Sequence, residues 1–152
     1  MFGNLKKFAL VAVMLSIAPM SAALAEDTTY ATQHAGEPAI AADQGRIYIY
    51  RKSSLMGAAV QPDIYVNGEK VWTAKNGDYT FIDRPAGSYE INTSTDSKDT
   101  AVTLPVVAGQ PAYVRIGIDF GLFAGHGQPA IVLAPTATDE IKDLDYRTPD
   151  SK

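Results

Sequence analysis

The sequence predicts an all-β domain, an antiparallel β-sandwich of about seven or eight short strands followed by a short C-terminal helix. Three observations carry this expectation. Short runs rich in β-branched and aromatic residues recur from Arg46 onward. Turn signals built from Gly, Pro and Asn separate them at short intervals. No long stretch places apolar residues at helical spacing.

The first strand is "RIYIYR", Arg46–Arg51. Ile47 and Ile49 point to one face and Tyr48 and Tyr50 to the other, because side chains alternate along a strand. Both faces are apolar enough to place this strand centrally. "SSLMG", Ser53–Gly57, reads as a loop. In "DIYVNGEKVWTA" Asn67-Gly68 separates two apolar runs, and both residue types tolerate the positive φ of a tight hairpin turn. Asn76-Gly77 is a second such break. "YTFID" and "YEINTS" flank "RPAGS", Arg84–Ser88, where Pro85 fixes φ and Gly87 permits a left-handed step, so the chain is expected to reverse there.

"TAVTLPVV" places Val102, Leu104 and Val106 on one face, and Pro105, which lacks a ladder donor, argues for a sheet edge. "YVRIGID" turns Val114, Ile116 and Ile118 inward and Tyr113, Arg115 and Asp119 outward. "AIVLA", Ala130–Ala134, reads as the last strand. "TATDEIKDLD", Thr136–Asp145, reads as a helix capped by Thr136, with acids in its first turn and Ile141 and Leu144 on one face.

The amino end has a different character. Lys6 and Lys7 precede the apolar run Phe8–Ala18, and Ala23 and Ala25 supply a small-residue exit. Together these features read as a secretory signal peptide over residues 1–25. The run is short for a membrane span, which needs about 20 apolar residues. Residues 26–44 are polar and without period, so they read as a flexible linker in which His34 is solvated. The sandwich domain then occupies residues 45–135, and the helix and tail 136–152.

Composition narrows the function. Loss of Lys6 and Lys7 with the leader takes the net charge from −4 to −6. An acidic chain without a basic cluster is a poor match for nucleic acid and is repelled by anionic lipid. The chain has no cysteine, so it forms no disulfide and offers no attachment point for a bacterial lipid anchor. No stable membrane anchor is expected after cleavage.

The order and spacing of "IYxYR", the "S-x-x-G" loop, "VNGEKV", "G-x-Y-x-F-x-D-x-P-x-G-x-Y" and "YVRI" with "GLF" after it resemble a bacterial family of unknown function, numbered 2846, over about Arg46 to Pro135. The resemblance implies export and brings no catalytic residues. Gly77–Ile91 is also similar to the strand–turn–strand of carboxypeptidase regulatory-like modules, which implies an accessory or binding role by fold analogy alone.

The stretch "DFGLFAGHGQP", Asp119–Pro129, is the most site-like. "DFG" lacks the other kinase motifs. The glycines lack the lysine of a phosphate cradle. His126 has no second histidine in the domain and no cysteine with which to hold zinc. No cofactor, metal or catalytic residue is therefore assigned. Phe120, Leu122, Phe123 and His126 form a candidate interaction loop, either a recognition surface or a plug for the end of the sandwich. Arg51, Arg115 and Asp119 are candidates for structural ion pairs.

The resulting expectation is an exported, non-catalytic accessory or binding module of the bacterial cell envelope, periplasmic or secreted, with an envelope protein as partner. The alternatives are a hydrolase acting on an envelope polymer through Asp63, Asp78, Asp83 or Asp119, and a carrier whose apolar cavity is lined by Trp72, Phe81 and Tyr89.

Overall fold

A computed structural model describes residue 34 and residues 36–93, 100–120 and 125–150. Among these residues nine strands lie in two sheets: β1 (Gln44–Tyr50), β2 (Asp63–Val66), β3 (Glu69–Thr73), β4 (Asp78–Pro85), β5 (Gly87–Asn92), β6 (Val102–Val106), β7 (Pro111–Phe120), β8 (Gly125–Val132) and β9 (Asp145–Tyr146). A single helix among the described residues, α1, spans Ala134–Ile141. One sheet has the order β8-β7-β1-β4-β9 and the other β3-β2-β5-β6. The mostly-β, two-sheet architecture with a C-terminal helix matches the sequence expectation.

The strand pairing adds what local pattern does not carry. β1 pairs antiparallel with β4 but parallel with β7, and β9 pairs parallel with β4. A parallel pair needs a long crossover, and between β1 and β7 that crossover includes the whole second sheet. β1 is central, as its two apolar faces predict, and every residue from Gly45 to Tyr50 is buried. Ile47 and Ile49 enter the core between the sheets with Val114 and Ile116, opposite Ile64, Trp72, Ile91 and Leu104. Tyr48 and Tyr50 occupy the other face with Tyr113, beneath Ala137 and Ile141 of α1. The sandwich therefore carries a third layer on one side.

Turns follow their chemistry closely. Asn67 and Gly68 have φ of 49° and 80°, and Val66 faces Glu69 across a two-residue hairpin turn. On β3 a register shift between Ile64 and Tyr65 leaves Val71 as an extra residue, so Val71 and Trp72 are both buried despite being adjacent. β6, which holds Pro105, is indeed a sheet edge.

Three local expectations are corrected. Ala86 alone separates β4 from β5, and those strands belong to different sheets, so Arg84–Ser88 carries the chain between sheets. Gly87 is not in the left-handed region. The last strand of the hairpin begins at Gly125 rather than Ala130, and β9 follows the helix. The helix starts at Ala134 with Leu133 at its N-cap and no side-chain cap, and its first turn has no acid. Pro135 accounts for the earlier start, because an amide hydrogen is dispensable in the first helical turn.

The tail after α1 closes one flank. Asp145 N–H donates to Gly77 O and Arg147 N–H to Tyr79 O, extending the first sheet. Asp150 N–H then reaches Val71 O in the second sheet.

Candidate interaction surface

One end of the sandwich is built from the loop after β1 and the facing ends of β7 and β8. The loop has a fixed backbone. Arg51, only 2% exposed, donates from Nη2 to Gly57 O at 2.6 Å and from Nη1 to Ala74 O at 3.1 Å and to Val60 O. Its own N–H is held by Asp78 O at 3.0 Å. Val60 N–H returns to Gly57 O, and Ser54 N–H donates to Asn76 Oδ1. The sequence assigned Arg51 a carboxylate partner. In the structure three carbonyls take that place: the loop turns Gly57 O and Val60 O inward around the guanidinium, and Ala74 O comes from the residue that follows β3.

Glycines set how closely the parts of this end approach. Gly57 lies at φ +78°, and a Cβ there would fall 2.9 Å from Phe120 Cζ. A Cβ on Gly125 would meet Ile118 and Val60 at 3.1 Å, and one on Gly127 would meet Pro62 at 2.7 Å. Thr93 Oγ1 donates to Gly127 O. The glycines of "GHG" thus serve contact between the hairpin and the loop. Phe120 packs on Gly57 yet remains 49% exposed. His126 and Asp119 face each other in the β7–β8 register, and both are exposed. Leu122 and Phe123 lie outside the described residues.

The loop also projects two apolar side chains that sequence reasoning passed over: Leu55 is fully exposed and Met56 is 73% exposed. The available signal was an apolar pair between Ser53-Ser54 and Gly57, at the centre of a turn rather than in a strand.

Several charged groups elsewhere are paired. Arg115 meets Glu140 of α1 at 3.0 Å rather than Asp119, and Glu140 also accepts from Tyr50 at 2.7 Å and Lys52 at 3.1 Å. Asp63 accepts from Thr73 and Lys70, contacts that hold its pKa below the usual carboxylate range. Asp78 pairs with Arg147 at 2.9 Å and Asp83 with Arg46. The carboxylates of the hydrolase reading are thus dispersed. Trp72 is in the core between the sheets, while Phe81 lies on the outer face under the Arg46 guanidinium, 4.2 Å from its ring centroid. They line no common cavity. No cluster of three or more metal-binding side chains occurs among the described residues.

The segment ahead of β1 rests on that outer aromatic face. His34, expected to be solvated, is 8% exposed and lies 4.6 Å from the Tyr48 ring. Glu37 accepts from Tyr48 OH at 2.5 Å, His34 Nδ1 at 3.1 Å, Tyr79 OH at 3.3 Å and Arg46 Nη1 at 3.4 Å. Burial pushes the Glu37 pKa up. The hydrogen bonds from His34 and Tyr48, with the nearby charge of His34 and Arg46, outweigh it and hold the carboxyl below its ordinary value.

The family model described as protein of unknown function (DUF2846) matches residues 41–127, more than half of the chain. No curated protein and no solved structure gives a significant match.

Arg51→Met removes the guanidinium donor from the carbonyls of Gly57, Val60 and Ala74 and is expected to cost about 2–4 kcal/mol in urea unfolding. Arg51→Lys recovers only part of this, because a compact ammonium does not reproduce the planar fork. Equal stability of all three proteins would show that the clamp contributes nothing. For Glu37 the folded-state pKa is depressed, so its stabilisation is complete above its unfolded pKa of about 4.3 and is lost as pH falls through the folded value. The melting-temperature gap between wild type and Glu37→Gln should be present at neutral pH and close in acid; a gap independent of pH contradicts this account.

Proposed function

The chain belongs to this family of unknown function, and from that premise we propose that it is an exported, non-catalytic binding module of the cell envelope that recognises a protein partner through the loop end of its sandwich. The observation that carries the reading is the pairing of rigidity with exposure. A buried arginine and a set of close-packed glycines fix the loop, and this end of the sandwich nonetheless presents Leu55 and Met56 of the loop and Phe120 of β7 to solvent. Ordering a loop costs conformational entropy, and apolar side chains held outward on an ordered backbone gain from burial against a second surface. Scattered exposed apolar residues are ordinary; a pinned group at one strand end is what favours recognition.

Export is supported by the amino end, where two lysines, an apolar run and the Ala23-x-Ala25 exit stand in signal-peptide order. No helix among the described residues is long and apolar enough to cross a membrane.

A photo-crosslinking residue at Met56, in cells, should form an adduct with one protein, and Leu55→Asp should abolish that adduct without loss of stability. The same adducts from a probe at exposed Thr103, or none from Met56 in a folded protein, sink the recognition reading. Intact mass of the purified cellular protein should correspond to a chain starting at Glu26; retention of residues 1–25 sinks the export reading.

A further inference from the structure

The outer face of the five-stranded sheet brings three hydrogen-bond donors from two neighbouring strands to one point. Arg46 and Tyr48 are two residues apart on β1 and therefore share a face. Across the β1–β4 ladder Arg46 sits opposite Asp83, Tyr48 opposite Phe81 and Tyr50 opposite Tyr79. Asp83 takes the Nε and Nη2 arms of Arg46 at 2.7 and 2.8 Å. That fork fixes the guanidinium plane and leaves Nη1 directed to the same place as the Tyr48 and Tyr79 hydroxyls. Arg46 is held by the Asp83 fork and lies 4.2 Å over the Phe81 ring, and Tyr48 stacks on Tyr113 at 5.1 Å, so two of the three donors are held in position by contacts within the sheet.

A guanidinium arm and two phenol hydroxyls around one point offer donors only to an acceptor-rich group. An ionised carboxylate has two oxygens and about four acceptor sites. In this chain the group found there is a carboxylate, Glu37, with His34 adding a fourth donor from the same segment. Glu37 comes from outside the sheet, and the family match begins at residue 41, so the donors lie within the shared domain and their acceptor ahead of it.

We propose that Arg46, Tyr48 and Tyr79 form a carboxylate-binding cradle that Glu37 occupies as an internal ligand, and that a carboxylate on another molecule takes the same place when Glu37 is withdrawn. The site lies away from the Leu55–Met56 loop and does not depend on the recognition proposed for it. The charged and titratable groups around it are His34 and Glu37 from the leading segment, Arg46 and Tyr48 from β1, and Tyr79 and Asp83 from β4, with Tyr113 of β7 stacked on Tyr48 and Tyr146 of β9 against Tyr79. Asp83 is neutralised by its fork with Arg46, so an entering anion meets a balanced pair and two hydroxyls.

The test is ligand rescue. The full-length Glu37→Ala protein is titrated with sodium acetate, and separately with glutamate blocked at both ends, against sodium chloride at equal ionic strength, and its melting temperature is followed. Glu37 contacts only the outer face and not the core between the sheets, so the variant is expected to fold. Ligand that binds only the folded state raises its stability. A carboxylate-specific rise of several degrees is expected in Glu37→Ala, little or none in wild type, and none in Glu37→Ala/Tyr48→Phe, which keeps the ring and removes one donor. A larger rise with blocked glutamate than with acetate assigns the natural carboxylate to a peptide; equal rises assign it to a small molecule. If Glu37→Ala does not fold, Glu37→Ser, which also empties the cradle, carries the same titration. No carboxylate-specific rise in the folded variant, or the same rise in the double variant, overturns the proposal.

Discussion

Burial of β1 on both faces is the constraint on which the rest of the structure depends. A strand with isoleucines on one side and tyrosines on the other needs cover twice. The four-stranded sheet covers the isoleucines. The tyrosine face takes α1, the segment around Glu37 and the stacked Tyr48–Tyr113 pair at 5.1 Å. Each cover is tied down where a tyrosine hydroxyl must find an acceptor: Tyr50 on Glu140 of the helix, Tyr48 on Glu37. Buried phenols without partners are costly, so the same residues that demand apolar cover also dictate where carboxylates arrive.

The two buried arginines, Arg46 within this strand and Arg51 just after it, answer one physical problem in different ways. A buried cation without hydrogen bonds is strongly disfavoured. Arg46 is met by a bidentate carboxylate and by the face of Phe81. Arg51 is met by backbone carbonyls alone, and burial pushes its pKa down. Its neutralisation by oriented dipoles, rather than by a counter-charge, makes the loop conformation and the arginine mutually dependent. That dependence is why an exposed apolar pair can sit on an ordered backbone at Leu55 and Met56.

The glycine-rich stretch near Gly125 follows from packing rather than from ligand chemistry. Pro62, Val60 and Phe120 occupy the space that side chains at residues 57, 125 and 127 would need. Close approach between a hairpin and a loop is a common use of glycine in strands. It also sets the shape of the end surface, because the loop lies directly against the hairpin.

Much of the fold was legible locally. Alternation along Ile47–Tyr50 and Val102–Val106, the Asn67-Gly68 turn and the edge position of Pro105 are properties of a few adjacent residues, and short-range sterics and polarity suffice to read them. What only the tertiary structure decided is who partners whom: the parallel pairing of β1 with β7, Arg115 with Glu140 instead of Asp119, Arg51 with carbonyls, and Glu37 with Arg46, Tyr48 and Tyr79. Those contacts join residues far apart in the chain, or on different elements, through loop closure that no local periodicity encodes. Sequence by itself thus determined which strand faces are apolar and where the Asn67-Gly68 turn falls, and three-dimensional packing determined which polar groups are buried and which of them meet, because a local pattern is a property of adjacent residues while partnership is a property of the fold.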